Sequence, residues 1–167
     1  MATENNITEL HLFLLSINEF NENLKVYIIC DNYINNWLLE YKKNFNNIKI
    51  KLFNKLSDIK YNNISSNYQQ DINKKKLWID FMLEKTTIMK IALNENPNTI
   101  FLDSDIVFLN KLPKVNNDDV CLSIHYTKYS AHKQFGLFNG GCVYTNNIKF
   151  CDWWREKTYN LLYSKSS

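Results

Sequence analysis

Residues Ile100–Leu109 read IFLDSDIVFL: four apolar residues, Asp-Ser-Asp, then four more apolar residues. Read as one buried strand, this stretch carries two carboxylates where ionised groups resist leaving water. A chain keeps acids in such a place when a cation needs them, so Asp103 and Asp105 lead the search for function. The only two prolines, Pro97 and Pro113, bracket the stretch, and the only three glycines, Gly136, Gly140 and Gly141, fall within six residues of each other downstream.

Outward from this strand, apolar periodicity marks the other elements. Ile7, Leu10, Leu14 and Leu15 recur at helical spacing after Asn6. Lys25–Cys30 (KVYIIC) reads as a strand, and Ile34, Trp37, Leu38, Tyr41 and Phe45 mark a second amphipathic helix. Ile48, Ile50 and Leu52 alternate with polar neighbours as a strand would. Residues 54–73 are polar and read as a loop. A long helix spans Lys76 to Leu93 and leads into the Asp-bearing strand. Val120–His125 and Cys142–Thr145 read as strands, residues 126–137 as a surface loop, and Asn147–Tyr163 as a final helix. Strands alternating with helices predict a single α/β domain with a mainly parallel sheet and helices on both faces. In such sheets ligands bind beyond the carboxyl ends of the strands, where Asp103 and Asp105 stand.

Residues i and i+2 of an extended segment point the same way, so Asp103 and Asp105 can converge on one point. Two carboxylates there repel unless a cation lies between them. Hard oxygen ligands favour Mn²⁺ or Mg²⁺, and such ions keep positions open for phosphate oxygens, so a nucleotide diphosphate is the expected third party. Lys85 falls near the centre of an apolar helical stripe with Trp78, Phe81, Met82, Ile88, Met89 and Ala92. A buried lysine needs an anionic partner or must snorkel out, and this one can reach a phosphate or an Asp. Phe138-Asn139-Gly140-Gly141 offers a backbone open to close approach and an amide suited to sugar hydroxyls. Asn-Gly is equally a favoured hairpin turn.

Composition narrows the field. The chain has 167 residues, is 45% hydrophobic and 14% aromatic, and carries a net charge of +3. These values describe one folded domain with a sizeable core and do not point to a nucleic-acid binder. Lys74-Lys75-Lys76 is the only tight basic run. The four cysteines, Cys30, Cys121, Cys142 and Cys151, have no zinc spacing and read as reduced core thiols, which fits a cytoplasmic protein. No apolar stretch approaches the ~20 residues of a membrane span, and MATENN lacks the order of a signal peptide.

In this order, IFLDSDIVFL, FNGGCVYTNN and FCDWWREKTYNLLY resemble the GT-A glycosyltransferases. Those enzymes move a sugar from a nucleotide-diphosphate donor to an acceptor. The resemblance implies a Rossmann-like nucleotide-diphospho-sugar transferase fold, incomplete at both ends, because only MATENN precedes the first helix and the chain ends at Ser167. It implies that Lys85, Asp103, Ser104, Asp105, Asn139, Gly140 and Gly141 bind a nucleotide sugar, a UDP-sugar above others. Asp103 and Asp105 would hold the Mn²⁺ or Mg²⁺, and His125 and Trp153 are candidates for the acceptor side. No catalytic base is assignable. Two rivals stand beside this expectation: a haloacid-dehalogenase-like phosphatase with Asp103 as nucleophile, and a non-catalytic sugar-nucleotide-binding or interaction module.

Overall fold

The computed structural model describes residues 1–57, 72–115, 119–124 and 137–163. Its elements are α1 (Ile7–Phe20), β1 (Leu24–Cys30), α2 (Asn32–Tyr41), β2 (Ile48–Asn54), α3 (Ile72–Glu95), β3 (Thr99–Leu102), β4 (Val120–Ile124), β5 (Phe138–Thr145) and α4 (Ile148–Tyr163). The loop expected over residues 126–137 falls almost wholly outside the described residues, as does most of the one expected over 54–73.

Leu10, Phe13, Leu14 and Ile17 recur every three or four residues, form the buried stripe of α1 and pack over β1. The helix stops at Asn21, whose backbone turns extended and whose side-chain amide donates to the Ile17 carbonyl at 3.1 Å. Asn23 enters the left-handed region at φ 60°, which asparagine tolerates better than most residues, and the chain turns there into β1. At the far end of β1, the Asp31 carboxylate accepts from Ile34 N at 2.9 Å and so caps α2. Its other oxygen accepts from Glu4 N at 2.8 Å, in the short 3₁₀ turn before α1. One side chain therefore fixes the starts of two helices.

β1 and β2 pair in parallel, from Leu24 opposite Ile48 to Cys30 opposite Asn54. Ala2 adds a parallel bridge on the other edge of β1, opposite Cys30. The second sheet has the order β3-β5-β4, and both of its pairs are antiparallel. The expectation of a mainly parallel sheet is thereby corrected: the fold is α/β, with one parallel and one antiparallel sheet. The reason is local. A parallel return needs a crossover of a dozen or more residues, usually a helix. Helices supply that before β3, whereas residues 103–115 carry no helix and β5 returns beside β3 in the opposite direction.

The ten-residue Asp strand is also shorter than its composition implies. β3 ends at Leu102, and Asp103–Ile106 form a turn with Ile106 N donating to Asp103 O at 3.4 Å. The apolar residues beyond it do not extend the ladder. Ile106, Phe108 and Leu112 lie against the cluster formed by α1, α2 and the parallel sheet. Ser16 Oγ accepts from Phe108 N, and Asn21 Oδ1 accepts from Leu112 N, both at 3.0 Å. A second cluster joins Ile29, Met89, Phe101, Val143 and Cys151 around α3, α4 and the antiparallel sheet.

All four cysteines are free, as expected. Burial pushes the Cys30 and Cys151 thiols up to about 11, so both stay protonated and unreactive at neutral pH. Among the described residues no helix is long and apolar enough to cross a membrane.

Because Asp31 serves two backbone donors, Asp31→Ala is expected to cost about 1–2 kcal/mol, the upper part of the range for losing a cap. Asp31→Asn, which keeps an acceptor, should lose less. Urea unfolding followed by circular dichroism measures both.

Candidate functional site

Three elements meet at the end of β3. Lys85 lies midway along α3 on the face that packs inward, and its side chain is only 6% exposed. Its amine does not snorkel to water. It donates to Asp103 Oδ1 at 2.9 Å and to Oδ2 at 3.3 Å, and approaches the Gly140 carbonyl at 3.4 Å. The Phe101 ring lies beneath it, 4.9 Å from Nζ to centroid, close enough for a cation–π attraction. Phe101 sits two residues before Asp103 on the same strand, so both side chains leave one face of β3.

Asp103 is the wet half of the pair, with 40% of its side chain exposed. Its backbone N–H donates to Gly141 O at 2.8 Å, which continues the β3–β5 ladder by one rung. Here glycine is required by contact: a Cβ on Gly141 would stand 2.5 Å from Asp103 Oδ2. Asn139 Oδ1 accepts from Gly141 N at 2.8 Å and holds this approach. The Asn-Gly pair is extended within β5 and makes no hairpin turn. Its irregularity is a bulge, since Leu122 of β4 pairs with Val143 while the next residue, Ser123, pairs with Asn139. Gly140, Gly141 and Cys142 are thus released from the β4 ladder, which lets the glycine backbone bend toward Lys85 and Asp103.

Ser104 turns away from this cluster, is buried, and accepts from Asn6 Nδ2 at 2.6 Å. Asn6 Oδ1 also accepts from Thr3 N at 2.7 Å, so the amide ties the chain before α1 to the Asp turn. Asp105 is exposed, and among the described residues no hydrogen bond or ion pair reaches its carboxylate. Trp153 is 54% exposed and stacks on Phe150 with ring centroids 5.9 Å apart. The neighbouring indole, Trp154, is the one beside the glycines, with its Cζ2 3.7 Å from where a Gly140 Cβ would be. His125 lies outside the described residues. Arg155 locks α4 to α3 by donating to the Leu83 carbonyl at 3.2 Å.

Five of the residues singled out in the sequence, Lys85, Asp103, Asn139, Gly140 and Gly141, therefore share one spot, and Asp105 is exposed in the turn that follows. Two contributors were not foreseen. Phe101 was detectable from its i, i+2 relation to Asp103. Asn6 carries no local signal for its bond to a residue 98 positions away.

The same-side rule for Asp103 and Asp105 belongs to extended chain, and these residues form a turn instead. Among the described residues no group of three or more His, Cys, Asp or Glu side chains gathers to hold a metal. The turn offers two carboxylates, one bonded to Lys85 and one with no partner among the described residues. That donor set fits a hard divalent ion that takes its other ligands from phosphate and water, and does not fit an all-protein cage.

Removing the acid should strand a dry ammonium. Asp103→Ala is expected to destabilise by about 2–4 kcal/mol, somewhat below the figure for a wholly buried pair because Asp103 is half wet. The single variant Lys85→Met should cost less, and the double variant Lys85→Met/Asp103→Ala should recover much of the loss, since no uncompensated charge remains. Denaturant midpoints of the single and double variants form the double-mutant cycle that checks it.

Comparison with protein-family models, with curated proteins and with solved structures finds no match to this chain.

Proposed function

We propose that this chain is a metal-dependent glycosyltransferase domain of the GT-A type that binds a nucleotide-diphosphate sugar, a UDP-sugar first among them, at the end of β3. The observation that carries the proposal is the convergence of Lys85, Asp103, Asn139, Gly140 and Gly141 at that strand end, two residues before the exposed Asp105. These residues lie up to 56 positions apart.

Within this proposal each residue has a distinct task. Lys85 is too enclosed to meet a ligand directly, so it acts as a positioning residue. It clamps Asp103 from the dry side and leaves the carboxylate's wet side facing solvent. Asp105 and Asp103 would hold Mn²⁺ or Mg²⁺, which when bound would neutralise charge developing on the leaving diphosphate. Asn139, Gly140 and Gly141 would form the wall against the sugar, where a glycine backbone admits a close approach. Ser104, tied to Asn6, steadies the turn that carries both acids. The free thiols support residence in a reducing compartment, the cytoplasm.

In a thermal-shift panel of UDP-sugars with and without Mn²⁺, a ligand at about a hundred times its Kd should add ~2.7 kcal/mol of apparent stability, and only with the metal present. Asp105→Asn should abolish that shift while leaving the unliganded midpoint unchanged or slightly raised, because an exposed charge with no partner among the described residues is lost. Metal-dependent binding that survives intact in Asp105→Asn would overturn the site. Release of free UDP from a bound donor would then separate transfer or hydrolysis from binding alone.

A further inference from the structure

The wall from Asn139 to Gly141 has a chemical polarity that its hydrogen bonds fix. Gly141 N is a donor by necessity, so the Asn139 amide atom 2.8 Å from it must be the oxygen, Oδ1. The nitrogen, Nδ2, is then turned away from that backbone. Asn139 is exposed, so a ligand meets its amide through the Nδ2 hydrogens. The amide stands beside the acid of the site. A Cβ on Gly141 would lie 2.5 Å from Asp103 Oδ2 and 3.1 Å from Asn139 Oδ1, so both oxygens crowd one point over that glycine.

The other oxygens of the segment are engaged as well. Gly140 O accepts from Lys85 Nζ at 3.4 Å, and Gly141 O accepts from Asp103 N at 2.8 Å. Asn139 O accepts from Ser123 Oγ at 3.5 Å. Each acceptor between Asn139 and Gly141 thus already receives a protein donor, and the side-chain group turned outward is itself a donor.

That bias selects among sugars. A hydroxyl is donor and acceptor at once, and its proton needs an acceptor once water is displaced. An amide open at both ends serves a hydroxyl in both roles, but this one has its oxygen engaged. The neighbouring carbonyls each hold one bond already, and the outward lone pairs of Asp103 are those the cation would take. A carbonyl oxygen only accepts, so it satisfies Nδ2 and brings no proton to place. Two common sugar substituents supply such an oxygen, the acetamido group and the carboxylate of a uronate. Charge separates them. Asp103 and Asp105 stand two residues apart, and a third carboxylate beside them would be repelled, whereas an amide carbonyl is neutral.

We infer that the donor sugar is an N-acetylated amino sugar and that Asn139 selects it, with Nδ2 donating to the acetamido carbonyl. Gly141 N–H is the positioning group that holds the amide in the selecting orientation. The inference rests on the glycosyltransferase reading above and deepens it by naming the donor class.

Calorimetric titration of the full chain in Mn²⁺ with UDP, UDP-glucose, UDP-N-acetylglucosamine and UDP-glucuronate tests it. The acetamido donor should bind about tenfold more tightly than UDP-glucose, the factor that one unmet hydrogen bond makes. Asn139→Asp keeps an oxygen for Gly141 N and replaces Nδ2 with a second oxygen, so it should bring those two donors within about twofold of each other. The ratio is read within each protein, which cancels any change in the hold on the cation or the diphosphate. Equal affinity for the two donors in the unmutated chain, with UDP itself bound, would overturn the inference and leave the glycosyltransferase reading standing. A preference retained in Asn139→Asp would overturn the role of Asn139. Tighter binding of UDP-glucuronate than of the acetamido donor would overturn the choice of a neutral carbonyl. Failure of UDP to bind at all in Mn²⁺ would overturn the underlying reading, and the donor class with it.

Discussion

The ion pair between Lys85 and Asp103 is the constraint on which the rest of this structure turns. A lysine on the inward face of α3 would oppose packing unless an acid met it, because an unpaired buried charge costs more than a core contact returns. The acid arrives on β3, at the residue where the strand ends. The Gly140 carbonyl arrives on β5, which must therefore pass close by. Three elements are brought to a common point by one ammonium group. The requirement propagates further: β5 passes close to Asp103 because glycine occupies position 141, and the bulge opposite β4 gives those glycines room.

The pair also explains the division of labour between the two acids. Asp103 is held by the lysine, whereas among the described residues nothing bonds Asp105. A turn containing one fixed and one free carboxylate differs from two equivalent acids converging on a strand. It binds a cation only when other ligands, such as phosphate oxygens, complete the shell. Asn6 and Ser104 matter for the same reason. They brace the turn from behind, so that its exposed side is set by α1 as well as by β3.

Much of the fold was legible where one local pattern sufficed. The helices announced themselves by period, and Lys85 stood out because a charge at the centre of an apolar stripe demands a partner. Its partner was nameable because α3 leads directly into the Asp-bearing strand. The sheet was overread. Apolar residues on either side of Asp-Ser-Asp suggested continuity, yet Ile106 and Phe108 are apolar in order to cover α1, and composition does not distinguish a buried strand from a buried strap. Asp-Ser-Asp is itself turn chemistry, which competes with strand propensity. The antiparallel return of β5 was hidden for a related reason: alternation of strand and helix holds only as far as β3. The Asn-Gly hairpin signal lost to the extended course of β5, in which Asn139 pairs with Ser123 of β4. The bonds from Asn6 to Ser104, Ser16 to Phe108 and Asn21 to Leu112 span distances over which no periodicity speaks.

Those last bonds give residues 104–112 a particular character. The segment lies over α1 with apolar side chains inserted, and among the described residues isolated hydrogen bonds rather than a ladder secure it. Peeling of this strap opens the molecule while leaving every rung of both sheets intact. Lys111 and Lys114 lie exposed on it and just beyond it. A protease that cuts after lysine would act on that opened state, and the resulting nick would fall between β3 and β4, leaving the parallel sheet in the first piece and an antiparallel sheet assembled from both.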